Sequence, residues 1–574
     1  MWRGVAMGLL GALAACAFDP SGIGGRDAAL PGALDAGADA PRGDGPENWE
    51  SLSVALPGPG FGVVGSNPTG IVCGTDCTAS FPSGTAVTLT ATAGEGSVFT
   101  GWSGDCAGTG ECTLTMDAQR SVTATFEWTS PVHFQLGIGG TGNDSVRAVD
   151  VDVGANVFAA GYVRDTVDFG MGPTATLGGD DIFVTKYSGA GALEWYLRRG
   201  GSMDEAATAI LAAPTGGEFV TGGVFVTGYF KGTVVLGEGG TGMLSSAGSF
   251  DGFVARYSAL GVLVWAVRIG GAGIDFGTAL ALAPSGDLVV GGSFEQSVSF
   301  GSGRSETSAG KADWFVLSIN ADTGAVTNHW VDGAAEDDRL GGLAVTASGA
   351  YWVAGQFNAR TTFDFGRTEC DAVGKEDFFL AHYTEFPAAV DADFVRCGGG
   401  SEPDGINGLE AVGEQVVAVG MYTGTPAVDT GLPPAGAKSD AFVSRWDSGT
   451  GNVWANGFGD VDADDVATDV AITALGEVLV TGNIKGDAVD LGGGALASFG
   501  KGDLFMGRFA SDGRHLASRA YGGMEKDQSW AIAARPASGG FVLGGDSAGT
   551  IDLGGGLPLV GRGGADGFVA SFNP

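Results

Sequence analysis

Histidine and basic residues are scarce in this sequence. Only four histidines occur in 574 residues, and they do not cluster along the chain. Lysine and arginine number 29 against 66 acidic residues, which gives a net charge of -37 at pH 7. This balance argues against nucleic-acid binding and against docking on an anionic membrane through basic patches. No His-x-x-x-His or His-Glu-x-x-His pair occurs, and no Walker or dinucleotide glycine loop stands between a strand and a helix.

The amino terminus carries an apolar segment that is too short to span a membrane. Residues 5–15 follow the positive charge of Arg3, which is typical of a secretory signal. The segment ends in Leu13-Ala-Ala-Cys16, which resembles a bacterial lipobox. The resemblance implies that Cys16 is diacylated and ends a signal peptide of residues 1–16. It also implies an anchor in the outer membrane, with the protein either periplasmic or surface-exposed. An ordinary signal peptide, with Cys16 incidental, is the alternative.

Residues 17–50 contain mainly Ala, Asp, Gly and Pro and show no apolar periodicity. Such a segment cannot bury enough apolar surface to offset the entropy lost on ordering. The sequence therefore predicts a disordered tether between the lipid anchor and the folded part of the chain.

Residues 51–128 carry four cysteines in two close pairs. Residues 85–91 and 121–126 alternate apolar and polar side chains, so both are predicted strands. In an exported chain an even set of cysteines indicates disulfides, and four cysteines allow three connectivities. The short spacings favour local pairs, although a zinc site is the competing interpretation. These cysteines are Cys73 and Cys77, then Cys106 and Cys112.

Several segments of this region resemble the divergent internalin-B-type B-repeat domains of bacterial surface proteins. The matching segments are Gly70-Ile-Val-Cys-Gly-Thr-Asp-Cys77, Phe81-Pro-Ser-Gly-Thr85, Gly101-Trp-Ser-Gly-Asp-Cys106 and Val122-Thr-Ala-Thr-Phe126. The resemblance implies a small β-grasp-like module, usually a spacer or presentation domain, and it implies no catalysis.

A motif of the form Asp-x-Phe followed by Val, Leu or Met recurs seven times in the rest of the chain. The phenylalanines are spaced 70, 62, 64, 63, 63 and 63 residues apart, and a fixed period of this length indicates a repeat architecture. They are Phe183, Phe253, Phe315, Phe379, Phe442, Phe505 and Phe568. The aspartate two residues before each one is predicted to be a turn residue that hydrogen bonds its own backbone.

Each repeat contains the pattern of four short strands. An aromatic strand ends in Gly-Gly, and an acidic loop and a strand of small residues follow. The acidic loops carry Asp144, Asp204, Asp275, Asp337, Asp404, Asp465 and Asp527. Four-stranded sheets repeated radially form a β-propeller, so residues 129–574 are predicted to be an all-β, seven-bladed propeller of four-stranded blades. We expect the small-residue strand to be innermost and each motif phenylalanine to pack between neighbouring sheets.

The two ends of the array are predicted to share one sheet. The array begins with an aromatic strand at residues 132–137 and ends with an Asp-x-Phe strand at residues 567–572. The last unit lacks its outer strand, and the first strand of the array can supply it, which leaves no exposed edge.

The Gly-Gly-x-x-x-Asp, Val-x-Val-x-Gly and Asp-x-Phe-Val segments resemble the bacterial β-propeller repeat family. The resemblance covers about 440 residues in seven repeats and implies the propeller fold. It implies little about ligands.

Two further sites are suggested within the array. Cys370 and Cys397 flank the fourth Asp-x-Phe strand, so a third disulfide is expected there. Asp460, Asp462 and Asp464 have the oxygen spacing of a calcium loop but lack the central Gly and distal Glu of an EF-hand, which makes them a weak calcium candidate. No other cofactor is indicated.

These patterns favour a lipid-anchored cell-envelope protein that presents a non-catalytic propeller as a binding or scaffolding surface for a protein or a glycan. No catalytic residues are predicted. The alternative is a propeller hydrolase or lyase that acts on extracellular polysaccharide. A cleft of two or three acids with a His or Arg would favour that alternative, because fold alone does not decide function.

Overall fold

The computed structural model describes residues 48–56, 62–73, 77–94, 97–128, 132–214, 222–358, 361–363, 368–373, 375–386, 392–424, 431–435, 438–460, 463–486, 489–496, 498–536, 539–555 and 557–573. Within these ranges the regular structure is β-strand, apart from one 3-10 turn at Glu238–Gly240. They contain no helix with the length and apolar character needed to cross a membrane. Cys16 and nearly all of the expected tether lie outside the described residues. The predicted all-β class is confirmed.

The small amino-terminal domain consists of two four-stranded sheets. The strands are β1 (Trp49–Ala55), β2 (Gly62–Asn67), β3 (Val72–Cys73), β4 (Thr78–Pro82), β5 (Ala86–Ala93), β6 (Ser97–Gly104), β7 (Cys112–Thr115) and β8 (Arg120–Trp128). The sheet orders are β4-β1-β8-β6 and β3-β2-β5-β7, and β1 runs parallel to β8. Alternate side chains of both sheets fill one apolar core, in which Trp102 and Phe126 are buried.

Three disulfides join the six cysteines that the structure describes. The small domain contains Cys73–Cys77 and Cys106–Cys112, which are the local pairs that the spacing favours. Cys370–Cys397 links the segment before the fourth Asp-x-Phe strand to the strand that pairs with it. With all four cysteines of the small domain in disulfides, the competing zinc interpretation is wrong.

The strands of the array follow one order in every unit, from an innermost strand outward. The array begins with β9 (Val132–Gly140). The first unit has β10 (Ser145–Val151), β11 (Val157–Val163), β12 (Val167–Asp168), β13 (Pro173–Thr174), β14 (Asp181–Tyr187) and β15 (Leu193–Arg199). The second has β16 (Glu205–Ala212), β17 (Val224–Val235), β18 (Met243–Tyr257) and β19 (Leu263–Gly271), and the third has β20 (Asp275–Leu282), β21 (Leu288–Gly301), β22 (Arg304–Ile319) and β23 (Val326–Asp332).

The remaining units repeat this order. The fourth has β24 (Asp338–Val345), β25 (Tyr351–Phe357), β26 (Thr361–Phe363), β27 (Thr368–Cys370), β28 (Asp377–Tyr383) and β29 (Phe394–Gly398). The fifth has β30 (Gly405–Val412), β31 (Gln415–Tyr422), β32 (Asp440–Asp447) and β33 (Gly451–Phe458), and the sixth has β34 (Val466–Ile472), β35 (Val478–Ile484), β36 (Val489–Asp490), β37 (Ala495–Leu496), β38 (Asp503–Phe509) and β39 (His515–Tyr521). The last has β40 (Asp527–Ala534), β41 (Phe541–Ser547), β42 (Thr550–Ile551), β43 (Leu559–Val560) and β44 (Asp566–Phe572).

The innermost strands contact one another in a closed ring. They are β10, β16, β20, β24, β30, β34 and β40; each contacts the next, and β40 contacts β10. The ends of the array meet in one sheet, where β44 pairs antiparallel with β9 and Phe568 lies opposite Gly137. The predicted pairing of the two ends is confirmed, and the array is a closed β-propeller.

The phenylalanine of each Asp-x-Phe motif is buried between neighbouring sheets, as predicted. Phe253 of the second unit packs in one apolar cluster with Phe158 and Val184 of the first unit. Phe315 of the third unit packs in the same way with Phe225 of the second. The cohesion of the ring therefore comes from apolar contacts between successive sheets.

The aspartate of the motif explains why a glycine stands at the end of the aromatic strand that pairs with the motif strand. A Cβ atom at that glycine would lie within 2.5 Å of the aspartate carboxyl group in all seven units. The glycines are Gly139, Gly200, Gly270, Gly333, Gly399, Gly459 and Gly522. In six units a carboxylate oxygen accepts a hydrogen bond from the backbone N–H four residues earlier, at 2.6–3.1 Å, which confirms the predicted turn role.

Replacing Gly200 with alanine is expected to destabilise the array by about 3 kcal/mol, because the new Cβ meets a buried group that cannot move. That Cβ would lie 2.1 Å from Asp181 Oδ1, and Asp181 is itself held by Arg198 at 2.7 Å. Gly137→Ala is the matched control, since a Cβ at Gly137 meets nothing within 4 Å. Thermal unfolding of both variants tests the expectation, and equal midpoints for the two would contradict it.

A second acid in each unit begins the innermost strand and is buried beside the first. Its side chain accepts a backbone hydrogen bond from the Gly-Gly loop or its equivalent, as Asp275 does from Gly271 N at 2.8 Å. These acids are Asp144, Glu205, Asp275, Asp338, Asp404, Asp465 and Asp527. In the second and fourth units this acid is Glu205 and Asp338, each directly after a loop acid, Asp204 or Asp337. In both units the residue four positions earlier, Gly201 or Ala334, donates its backbone N–H to the acid.

Burial shifts the titration of these acids toward neutral pH. It raises the pKa of Asp144 and Asp404 to about 6, of Asp275, Asp338 and Asp465 to about 7, and of Glu205 to about 8. The nearby carboxylate of the Asp-x-Phe motif adds to the effect, as Asp251 does for Asp275.

We expect the free energy of unfolding to fall as pH rises from about 4 to 8. These acids titrate near pH 4 in the unfolded chain and at higher pH in the folded protein, so the folded state binds more protons between these pH values. The folded state therefore loses stability relative to the unfolded state as the pH rises through this window. An acid whose pKa is raised by two units accounts for about 2.7 kcal/mol. Thermal unfolding between pH 5 and pH 8.5 measures the slope.

Asp275→Asn removes one such acid and is expected to flatten the slope. Asp512→Asn, at an exposed aspartate, is the control that should leave it unchanged. Repeating both scans in EDTA separates proton binding from cation binding. A stability that is constant or rises across the window would contradict the expectation.

Candidate binding site at the mouth of the central channel

A central channel runs through the ring and is lined by all the innermost strands. Its volume is about 480 Å³, and most of its lining residues are small or aliphatic, as expected for the strand nearest the axis. Its charged lining residues are Arg147, Asp150, Glu410 and Asp469.

Each innermost strand carries a β-bulge at the same register position. The bulged residues are Arg147, Thr208, Thr278, Gly341, Asn407, Thr468 and Trp530. A bulge turns its residue away from the ladder, and bulges are common beside functional sites. All seven of these residues line the channel.

Four of the bulged side chains fasten one innermost strand to the next. Thr208 Oγ1 donates to Gly277 O at 2.6 Å, and Asn407 Nδ2 donates to Ala467 O at 3.0 Å. Thr468 Oγ1 donates to Ser529 O at 3.0 Å, and Thr278 Oγ1 to Leu340 O at 3.4 Å. These four residues have a structural role in the ring.

Arg147 and Trp530 break this pattern, and they lie on adjacent strands. The Arg147 guanidinium stands 4.0 Å from the Trp530 ring centroid and 5.4 Å from that of Tyr162. The Trp530 indole is itself fixed, because Nε1 donates to Asp546 Oδ2 at 2.5 Å, and Ser145 Oγ donates to the same oxygen at 2.6 Å. The pair is therefore a rigid, half-buried platform.

This platform forms one wall of a pocket of about 550 Å³ at the amino-terminal ends of the innermost strands. Tyr162 and Tyr229 are half-buried in its lining. Tyr229 is held by edge contacts with Phe250 at 5.4 Å and Phe276 at 5.1 Å. The polar groups of the lining are Thr208, Asn407, Thr468, Asn483 and Gln528. A volume within the ~300–1,000 Å³ of small-molecule sites, with fixed aromatic rings and a few polar groups, suits one small ligand.

Three carboxylates occupy the channel beyond the mouth. Enclosure by protein raises the pKa of Asp150 to about 6, of Asp469 to about 7 and of Glu410 to about 8. Asp150 accepts backbone hydrogen bonds from Val151 and Ala212, each at 2.7 Å. Asp469 accepts them from Val470 at 2.9 Å and Ile532 at 2.8 Å. Both thus brace neighbouring innermost strands.

Glu410 is different, since no hydrogen-bond donor pairs with its side chain among the described residues. Its side chain is exposed to the water-accessible space of the channel, which the innermost strands enclose. Repulsion from the Asp469 and Asp150 carboxylates also disfavours the ionised form of Glu410 and so helps to raise its pKa.

The structure describes two of the three residues of the weak calcium candidate. Asp460 Oδ1 accepts a hydrogen bond from Ala463 N at 2.9 Å, and Asp464 Oδ2 lies 3.5 Å from Lys438 Nζ. Asp462 lies outside the described residues. In the described ranges no group of three or more His, Cys, Asp or Glu side chains has the geometry of a metal site.

The sequence alone did not single out the residues of the mouth. Arg147 and Trp530 stand at a position where the other units have Thr, Asn or Gly, so superposing the repeats on their Gly-Gly-x-x-x-Asp segments would have marked both. The channel acids Asp150, Glu410 and Asp469 were also missed, because 66 acids in the chain leave no basis for choosing three.

Comparisons with known proteins find one family model that matches part of the small domain and several solved structures that resemble the array. Residues 64–130 match the family described as the divergent InlB B-repeat domain. No curated protein matches the chain.

Similar solved structures include the Dos1 propeller, at 10% identity over 77% of this chain and 95% of that one, with a TM-score of 0.34. They also include the Cps50 (Swd1) β-propeller domain of Myceliophteria thermophila, at 12% identity over 70% of this chain and 95% of that one, with a TM-score of 0.27. A third is a mutant of the GH43 protein BlXynB from Bacillus licheniformis, at 10% identity over 76% of this chain and 98% of that one, with a TM-score of 0.26.

Proposed function

We propose that residues 129–574 form a seven-bladed propeller of four-stranded blades, of the bacterial β-propeller repeat type, which binds a glycan at the mouth of its central channel. The observation that carries this proposal is the pocket of about 550 Å³, in which Tyr162, Tyr229 and Trp530 stand beside amide and hydroxyl side chains. A protein ligand would need a larger contact area than this pocket offers.

The chemistry of the pocket suits a sugar. A sugar ring has apolar C–H faces, which lie well against aromatic rings, and hydroxyl edges, which exchange hydrogen bonds with amides. The three aromatic rings are held by their neighbours, so little conformational entropy is lost when a ligand orders them. The Gln528 amide has no hydrogen-bond partner among the described residues and is available to a ligand.

The same proposal places the protein in the cell envelope. Three disulfides fit an oxidising, extracytoplasmic compartment. Cys16 would carry the lipid that anchors the chain to the outer membrane, and residues 17–50 would be the tether. The B-repeat-like domain would then act as a spacer between the tether and the propeller.

The alternative function is a hydrolase or lyase that acts on extracellular polysaccharide. The observation that favours it is the set of channel carboxylates with raised pKa values, together with Arg147 at the mouth. Glycoside hydrolysis needs two carboxyl groups in different protonation states. Asp150 and Asp469 each accept two backbone hydrogen bonds, which leaves Glu410 alone as a free acid, so we favour binding without turnover.

A binding screen that also measures turnover tests the proposal. Purified residues 49–574 would be exposed to a glycan array and to envelope polysaccharide, with and without calcium, and the same samples would be assayed for released sugar. Binding without released sugar is expected. Released sugar that disappears in Glu410→Gln would establish the alternative, and failure to bind any glycan would refute the proposal.

A further inference from the structure

The free guanidinium at the channel mouth points to the class of glycan. Most arginines that the structure describes donate to a carboxylate or a carbonyl, as Arg198 does to Asp181 at 2.7 Å. Arg147 donates to no acceptor in the described part of the chain, although acids outnumber basic residues by 66 to 29. Its five N–H donors remain available to a ligand.

Two acids close to the mouth, Asp180 and Asp204, are engaged by another arginine. Asp180 lies close enough to feel the Arg147 charge, but its carboxylate binds Arg164 at 2.6 Å. Asp204 binds the same arginine at 3.5 Å. Arg147 meanwhile stacks on Trp530, which fixes the plane of the guanidinium. An unpaired planar guanidinium fixed in this way matches the two oxygens of a carboxylate.

The charge around Arg147 restricts what can bind. Asp150, Glu410 and Asp469 line the channel beyond the mouth, and the whole chain has a net charge of -37. A ligand with many negative charges would be repelled over a long range, whereas one carboxylate can pair locally with the arginine. The favoured ligand therefore has a single acidic group at the end that enters the pocket.

We propose that Arg147 binds the carboxylate of a uronic acid residue at the end of an otherwise neutral oligosaccharide. The remaining sugar rings lie against Tyr162, Tyr229 and Trp530. This inference rests on the proposed glycan-binding function and adds the ligand class to it.

Calorimetry with two matched disaccharides tests the inference. One ends in glucuronic acid and the other in glucose, and both are titrated into residues 49–574. The wild type is expected to bind the acidic disaccharide about tenfold or more tightly than the neutral one, because a charge-assisted hydrogen bond is stronger than a neutral one. Arg147→Gln should abolish the preference, so that the acidic disaccharide binds no more tightly than the neutral one.

Two further variants make the result interpretable. Arg147→Lys keeps the charge without the planar fork, so it should retain only part of the preference. Arg514→Gln, at an exposed arginine in the hairpin between β38 and β39, should leave both affinities unchanged.

Equal binding of both disaccharides by the wild type, or a preference that survives Arg147→Gln, would overturn the inference and leave glycan binding intact. If neither disaccharide bound while other glycans did, the ligand class would be wrong, and if no glycan bound at all, the proposed function would fail with it.

Discussion

A chain that begins at residue 141 is expected to lose the cooperative folding of the propeller. Such a chain lacks β9, and β44 then exposes an unpaired edge. Six residue pairs join the two strands, and Ile138 packs in the same apolar cluster as Val569. At ~1 kcal/mol for each backbone hydrogen bond and ~2 kcal/mol for the buried isoleucine, the loss is about 5 kcal/mol or more. That is comparable with the whole stability of many domains, ~5–15 kcal/mol.

The matched control for this truncation begins at residue 132 and retains β9. Both chains would be compared by thermal unfolding and by size-exclusion chromatography, because an open sheet edge also promotes association. The longer chain should unfold in one transition as a monomer, and the shorter one should unfold much earlier or aggregate. Indistinguishable transitions for the two chains would show that β9 does not close the ring.

Trp530→Ala is expected to weaken glycan binding about 30-fold or more, since it removes a central, fixed aromatic group of the site. The substitution has a double effect. The sugar loses an apolar surface, and the Arg147 guanidinium loses the ring that holds it at 4.0 Å. The affinity of residues 49–574 for a bound oligosaccharide, measured by calorimetry, gives the loss directly.

Trp454→Ala is the control for that substitution. Trp454 is half-buried on the outer strand β33, and its indole donates to Ser511 O at 3.0 Å. Its removal costs packing and one hydrogen bond but leaves the channel mouth intact, so the affinity should stay within about threefold of wild type. An equal loss of affinity in both variants would indicate general destabilisation and would count against a site at Trp530.

Much of the architecture follows from the sequence because each repeat encodes it locally. Alternating apolar residues define the strands, the Asp-x-Phe spacing defines the repeat, and the incomplete last unit requires β9 to complete its sheet. The glycine that ends each aromatic strand is explained only by the structure, where its Cα approaches a buried carboxyl group. A separate contact locates the second acid, which accepts a hydrogen bond from a loop backbone N–H four or five residues earlier.

The site is less accessible to sequence reasoning because it depends on register and closure. Which of Asp204 and Glu205 points inward is decided by a one-residue shift, since successive side chains of a strand point to opposite faces. Arg147 and Trp530 are 383 residues apart and meet only because β40 contacts β10 at the closure of the ring. No local sequence pattern predicts a contact between these two side chains, because they belong to the first and the last unit.

The most direct test of a glycan site at the channel mouth is a crystal structure of residues 49–574 with a bound oligosaccharide from the binding screen. The account predicts sugar density against Tyr162, Tyr229 and Trp530, with the acidic end of the ligand on Arg147. Ligand density on the small domain or at the opposite end of the channel would contradict it.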